Sequence, residues 1–336
     1  MANDQQTIAT AAAVRSDYTV NKGEVSLAVY RKRLALTPGE AARPVLFLVH
    51  GSSNSALSSF DLTVPGAGEY STMNVFAGFG YDVWTMDHEN YGRSSRTEGN
   101  SDIASGVADL VAATELVIRE TGQERLHFMG ESSGALRAAA FAVARPERVG
   151  RLVLNAFTYT GRNSPTLAKR AEQLEYFRSH NRRLRDRAMI RSIFTRDHPG
   201  TSDPRVAEAL ADAELVHGEE VPTGTYLDMT ANLPVVDPLK VMAPVMIVRG
   251  EHDGIASEGD LLDFYRNCRT RTGSSSCCRA RRMRWCSATT AISCGMSCRP
   301  SSACRRAATF DFILGCGSGL APAAWLISTP PHGAEG

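Results

Sequence analysis

The sequence predicts an α/β fold built on a mostly parallel sheet with helices on both faces. Three observations carry this. Short, continuous apolar runs recur between residues 44 and 248, as strands buried on both faces do. Stretches of helical spacing separate them, and parallel neighbours need such crossovers. Finally, Gly130-Glu131-Ser132-Ser133-Gly134 stands directly behind one apolar run and before an Ala-rich helical stretch. A G-x-S-x-G in that place is a tight strand-to-helix turn that exposes its serine.

Taken in order, Met1 to Ala13 is polar and Ala-rich and reads as a loose tail; residues 1–22 are assigned to it as an N-terminal unit. Glu24 to Tyr30 alternates as a strand, and Arg31 to Leu36 is expected to return as its hairpin partner. Pro44 to Val49 and Tyr81 to Met86 are buried strands. Asp102 to Glu120 has helical spacing, with Ile103, Val107, Leu110, Val111 and Leu116 apolar. Leu126 to Met129 is the strand before the serine turn, and Ser133 to Ala144 the helix after it. That helix aims its first N–H groups at the serine, where negative charge is favoured. Arg151 to Leu154 and Pro244 to Val248 are further buried strands.

Between Phe157 and Asp237 the strand pattern stops. Leu167 to Phe194 reads as one helix and Asp203 to His217 as another, so residues 157–237 are expected to form a helical cap. The run Arg178, Arg182, Arg183, Arg185, Arg187 and Arg191 reads as a solvated face, or else as a field that draws anionic substrates.

Four motifs fall at the carboxyl ends of strands, where parallel sheets bind ligands. They are His50-Gly51-Ser52-Ser53, Asp87 to Ser94, the Gly130–Gly134 turn and Gly250-Glu251-His252-Asp253-Gly254. In this order and spacing the chain resembles the α/β-hydrolase superfamily, in its lysophospholipase or serine-aminopeptidase-like branch, over residues 23–267. The resemblance implies an α/β-hydrolase core at residues 23–156 and 238–267. It implies Ser132 as the nucleophile of a covalent acyl-enzyme. It places the oxyanion donors at the backbone N–H groups of Ser52 and Ser133, and makes Asp253 the acid that orients a base histidine. His50, Gly51, Glu131 and Tyr91 are expected around the substrate pocket. Asp87 is expected to brace its own turn, and His127 to pack inside its strand. Such an enzyme cleaves a carboxylic ester or related acyl bond with water, without metal or cofactor. A carbon–carbon hydrolase or haloperoxidase-like activity stays open, because fold does not dictate chemistry. A dehalogenase or epoxide hydrolase fits poorly, since those carry aspartate where this chain has Ser132.

The composition breaks after Asn267. All eight cysteines lie between Cys268 and Cys316, and Phe264 to Phe310 contains ten Arg but no Asp, Glu or Lys. Residues 268–336 carry nine Arg and two acids, a charge of +7, against −6 for the 28 basic and 34 acidic residues before them. The family places its base histidine downstream of the acid, and here only His332 follows Asp253. His252 adjoins the acid too closely to be oriented by it, and a base drawn from His180, His198 or His217 in the cap would make an unusual triad. A single lost base at Asn267–Cys268 explains the cysteines, the arginines and the missing acids together. Read from the third base of the Asn267 codon, GC-rich codons permit a strand, a Gly-Ala-Ala-His loop and an amphipathic helix. The gene's nucleotide sequence tests this. On this reading 268–336 is an aberrant, poorly structured tail, the last strand and helix are missing, and the chain is poorly active. Taken at face value, the tail has no C-x-x-C pair or nearby histidine for zinc, and no regular aromatic interleaving for nucleic acid.

Composition supports a cytoplasmic protein acting on a small acyl molecule. Apolar content is 43%, no apolar run reaches membrane-span length, and Met1 to Val14 lacks a secretory pattern. Nucleic acid is not an expected partner, no membrane span is expected, and no motif speaks to oligomeric state. The alternative is a catalytically silent ligand-binding protein on the same fold, with Ser132 only hydrogen-bonding its ligand.

Overall fold

The structure, a computed structural model, describes residues 13–36 and 39–269 and the short strand at 282–283. The chain opens with β1 (Val14–Lys22), β2 (Val25–Arg33) and β3 (Val45–Val49), then α1 (Ala56–Phe60), α2 (Thr72–Gly78) and β4 (Asp82–Met86). Next come α3 (Ile103–Thr121), β5 (Leu126–Glu131), α4 (Ser133–Ala144) and β6 (Val149–Asn155). An insertion holds α5 (Pro165–Ala171), α6 (Leu174–Ser179), β7 (Arg182–Leu184), α7 (Arg187–Thr195), α8 (Pro204–Leu215), β8 (Glu220–Pro222) and α9 (Gly224–Ala231). The core resumes with β9 (Val245–Gly250), α10 (Glu258–Asn267) and β10 (Arg282–Met283).

The central sheet has the order β1-β2-β4-β3-β5-β6-β9-β10. It is antiparallel as far as β2–β4 and parallel from β4 onward. Its buried strands alternate between two cores, as period two requires. Val45, Phe47 and Val49 meet Leu110, Leu136 and Phe141 of α3 and α4 on one face. Leu46 and Leu48 meet Phe60, Met73 and Phe76 of α1 and α2 on the other. Helix α3 begins where Asp102 accepts the Ser105 N–H at 2.7 Å, and it ends where Gly122 turns left-handed at φ 70°.

Three expectations need correction. Residues 14–22 are a strand, and the hairpin is β1 with β2 rather than 24–30 with 31–36. Only one side of β1 is covered: Tyr18 lies against Trp84 at 5.2 Å between ring centroids, while Asp17 and Thr19 alternate with it. A one-sided, polar edge strand carries little apolar signal. The single helix expected over 167–194 is instead α5, α6, β7 and α7. Arg182–Leu184 pairs antiparallel with Glu220–Pro222, a long-range contact that local spacing does not encode. Finally, the sheet does not stop at β9: Arg282–Met283 pairs parallel with Arg249–Gly250. The rest of the proposed frame-shifted segment beyond 269, and the tail 1–12, lie outside the described residues. No described helix is long and apolar enough to cross a membrane.

The arginine run is mostly tied up in structure. Arg187 and Arg191 pair with Glu208 on the surface, and Arg178 pairs with Glu175. Arg185 is buried and paired with Glu214, whose other oxygen accepts from the Ser55 N–H and hydroxyl. That pair clamps the insertion to the start of α1.

Candidate active site

Ser132 sits between the end of β5 and the first turn of α4 at φ 56° and ψ −123°. A non-glycine residue with positive φ is strained and persists only where its surroundings over-determine it. Here they do. A Cβ on Gly130 would lie 2.6 Å from the Ala135 Cα, and one on Gly134 would lie 2.5 Å from the His50 carbonyl oxygen. Only glycine at both positions lets β5, α4 and β3 converge. The Ser132 N–H donates to the Asn155 carbonyl at 2.9 Å, which ties the turn to β6.

The loop after β3 closes over this turn. Gly51 abuts it so closely that a Cβ there would stand 3.9 Å from Ser132 Oγ. His50 is fully buried, with Nδ1 2.8 Å from the Gly51 carbonyl and Nε2 3.1 Å from the His88 N–H. A carbonyl only accepts and an amide only donates, so Nδ1 carries the proton and Nε2 does not. Burial and the neighbouring His88 and Arg137 hold the His50 pKa well below the usual imidazole range, so this tautomer stays neutral. With the Gly51 carbonyl held by His50, the N–H of the same trans peptide, that of Ser52, points the opposite way. The Ser52 hydroxyl donates to Ser133 Oγ at 2.7 Å, and Tyr91 donates its hydroxyl to the Ser52 carbonyl at 2.9 Å. Ser133 is the first residue of α4, so its N–H has no partner within the helix.

Asp253 follows β9. Its Oδ1 accepts the Ile255 N–H at 2.9 Å, and its Oδ2 is buried without a partner among the described residues. Burial pushes its pKa up, against the pull of the Ile255 N–H and of Arg249. Glu131 is pushed up to about 7, first by burial and then by Asp253. Asp87 does brace its turn, accepting from Tyr30 Oη at 2.6 Å and from the Ala56 and Arg93 N–H groups.

Ser132, Ser52, Gly51, Glu131 and Asp253 together line one cavity of ≈ 180 Å³. His50 and Tyr91 do not. They stand behind the loop, their rings edge-to-face at 4.8 Å, and hold it rather than face the cavity. His127, on β5, packs against Gly150 of the neighbouring β6, and burial lowers its pKa to about 4.

The opposite wall comes from the insertion: Arg170, Phe194, Arg196, Asp197 and His198. Of these, sequence reasoning weighed only His198, as one of three cap histidines, because the insertion folds back through long-range packing. One signal existed for Arg170, which lies three residues after the inward-facing Leu167 on α5. Its guanidinium lies 5.1 Å over the Tyr226 ring and near the Met229 sulfur, with no carboxylate partner among the described residues, and burial lowers its pKa to about 10. No group of three or more metal-ligating side chains is assembled among the described residues.

A parallel sheet with a strained serine turn at its carboxyl edge, under a helical insertion, is the α/β-hydrolase fold. The chain belongs to the serine aminopeptidase (S33) family, whose model matches residues 41–279. Curated relatives are 2-hydroxy-6-oxononadienedioate/2-hydroxy-6-oxononatrienedioate hydrolases. One from Paraburkholderia phymatum is 35% identical over 121 residues, 34% of this chain and 36% of the relative. Another, from Pseudomonas putida, is 32% identical over 146 residues, 40% of this chain and 42% of the relative. The chain thus matches less than half the length of these relatives. Among solved structures, the 2-hydroxy-6-oxo-6-phenylhexa-2,4-dienoate hydrolase from Rhodococcus sp. strain RHA1 superposes with a TM-score of 0.55 at 18% identity, covering 76% of this chain and 88% of that one.

Proposed function

We propose that this chain is a serine-nucleophile hydrolase acting at the carbonyl carbon of a small, carboxylate-bearing substrate. The observation that carries the reading is the forced φ of Ser132, which holds its side chain in the cavity beside the Ser52 loop and the Ser133 N-terminus. Ser132 Oγ attacks the carbonyl, and the oxyanion settles between the Ser52 and Ser133 N–H groups. Losing one such donor typically costs about 10²–10³ in rate. The unpartnered Oδ2 of Asp253 is the acceptor an imidazolium requires, and residues 157–237 act as the cap that closes the cavity.

The sequence alone suggested an ester. The named substrates of the relatives carry carboxylates, an enol and a ketone but no ester, so their hydrolysis severs a carbon–carbon bond at the ketone. Arg170, a cation on the cavity wall without a carboxylate partner among the described residues, suits the carboxylate of such a molecule. A carbon–carbon hydrolase of an acidic enol-ketone is therefore favoured over a neutral-ester hydrolase. Turnover is expected to be slow, because the histidine expected between Asp253 and Ser132 is not among the described residues that follow the acid.

The test is a fluorophosphonate label together with a substrate panel spanning acidic enol-ketones and neutral p-nitrophenyl esters. Ser132→Ala is expected to abolish both labelling and turnover, with the acidic ketones preferred. An unlabelled wild-type chain that still binds such acids would establish the silent-binder alternative instead.

A further inference from the structure

We propose that the insertion supplies the proton acceptor for Ser132, and that this acceptor is His198, stacked on His252 at the cavity wall. The assignment rests on the Ser132 reading above and deepens it. A serine hydroxyl is a weak nucleophile until a base takes its proton. Among the described histidines, His50, His88 and His127 are buried in the core or committed to the Ser52 loop. His180 stacks on Tyr176 at 4.3 Å, away from the cavity. His198 and His252 are the described histidines that line the same cavity as Ser132 and Asp253.

Their geometry suits the task. The two rings are 3.9 Å apart between centroids and 19° from parallel. His198 Nδ1 lies 3.0 Å from the Pro199 carbonyl, which can only accept. Nδ1 therefore holds the proton and Nε2 presents a lone pair, the form a general base needs. The segment carrying His198 is docked on the acid's own loop. A Cβ on Gly254 would stand 2.9 Å from Asp197 Oδ1 and 2.8 Å from Thr166 Oγ1. Ser164 Oγ donates to the Gly254 carbonyl at 2.9 Å, and the Thr166 N–H donates to it at 3.3 Å. The site that usually receives a histidine from downstream is thereby approached from the insertion.

Charged and titratable groups face this pair from every side of the cavity. Arg196 and Asp197 come from the same segment, Asp253 from the loop after β9, Glu131 from β5 and Arg170 from α5. Carboxylates at Asp197 and Asp253 favour an imidazolium once it forms. The stacked His252 ring holds the His198 ring in its place on the cavity wall. As Ser132 Oγ bonds to the carbonyl carbon, its proton passes to His198 Nε2. When the tetrahedral anion collapses, the leaving group departs with that proton. Water then attacks the acyl-enzyme, gives its proton to the same nitrogen, and the proton returns to Ser132 as the acid leaves.

The experiment measures residual hydrolysis of p-nitrophenyl acetate against pH for the full chain and for Ser132→Ala, His198→Asn, His252→Ala and His332→Ala. Asparagine keeps a donor for the Pro199 carbonyl and removes the base. His198→Asn is expected to lower kcat by about 10²-fold, at the low end for general-base loss. KM and the thermal midpoint should change little, the acid limb of the profile should vanish, and added imidazole should restore part of the rate. An unchanged kcat and acid limb in His198→Asn, with Ser132→Ala inactive, would overturn the base assignment alone, as would a loss confined to His332→Ala. Turnover that survives in Ser132→Ala would overturn the nucleophile reading and the base with it.

Discussion

Replacing Gly51 with alanine adds one methyl group at the most crowded point of the site. The new Cβ would stand 3.1 Å from the Glu131 carbonyl oxygen, 3.3 Å from Ser132 Cβ and 3.9 Å from Ser132 Oγ. The first contact is about three tenths of an ångström inside ordinary van der Waals distance. Glu131 and Ser132 cannot yield, because their backbone is pinned by Gly130, Gly134 and the Ser132–Asn155 hydrogen bond. The loop itself must then move, carrying the Ser52 N–H away from the oxyanion position. A full ångström of misplacement can cost about 10²-fold, so a shift of a few tenths should cost about 5- to 20-fold in kcat/KM. Overpacking of this size destabilises by about 1–3 kcal/mol, which leaves the chain folded. Initial rates and the rate of fluorophosphonate labelling, read beside the thermal midpoint, separate the two effects. An unaltered labelling rate in a variant whose midpoint has dropped would refute the argument that the Ser52 amide is positioned by Gly51's close approach.

Other outcomes follow from the same geometry. Glu214→Ala strands the buried Arg185 guanidinium and removes the acceptor for the Ser55 N–H. It should cost about 3–5 kcal/mol in urea denaturation. Arg170→Gln should raise KM for an acidic enol-ketone by about 10- to 100-fold, the value of a charge-assisted hydrogen bond, with a smaller effect on p-nitrophenyl acetate. Glu131 has its pKa raised from 4.5 to about 7 by burial and Asp253. The fold therefore holds a proton between these values that the unfolded chain has released, and stability is lost as pH rises through that window. Glu131→Gln should gain on the wild type from pH about 4.5 to 7, by up to about 3 kcal/mol, and hold that gain above. A flat difference between the two urea midpoints across this range would show that the fold does not raise the Glu131 pKa.

The buried strands and the serine turn were legible because each depends on local physics. Pro44 to Val49 has to be a strand buried on both faces, and the glycines at 130 and 134 have meaning only around a turn that other residues cannot make. Ser132, Gly51, Ser52, Glu131 and Asp253 line one cavity, and each closes or follows a recognisable strand. Tyr91 and His50 were expected at the pocket and proved to stand behind it, because adjacency to a site along the chain does not say which side of a loop a ring occupies.

By itself, then, the order of residues determined the layered α/β plan, the serine turn and an aspartate just after β9, since all of these follow from contacts between near neighbours or from strand ends. Only the folded chain decided that Arg182–Leu184 is a strand, that Arg185 is buried against Glu214, and that Arg170 and His198 reach the cavity. These depend on where an insertion lands on a core far from it in sequence. Hydrophobic periodicity constrains which face of a segment is buried, but not what it is buried against.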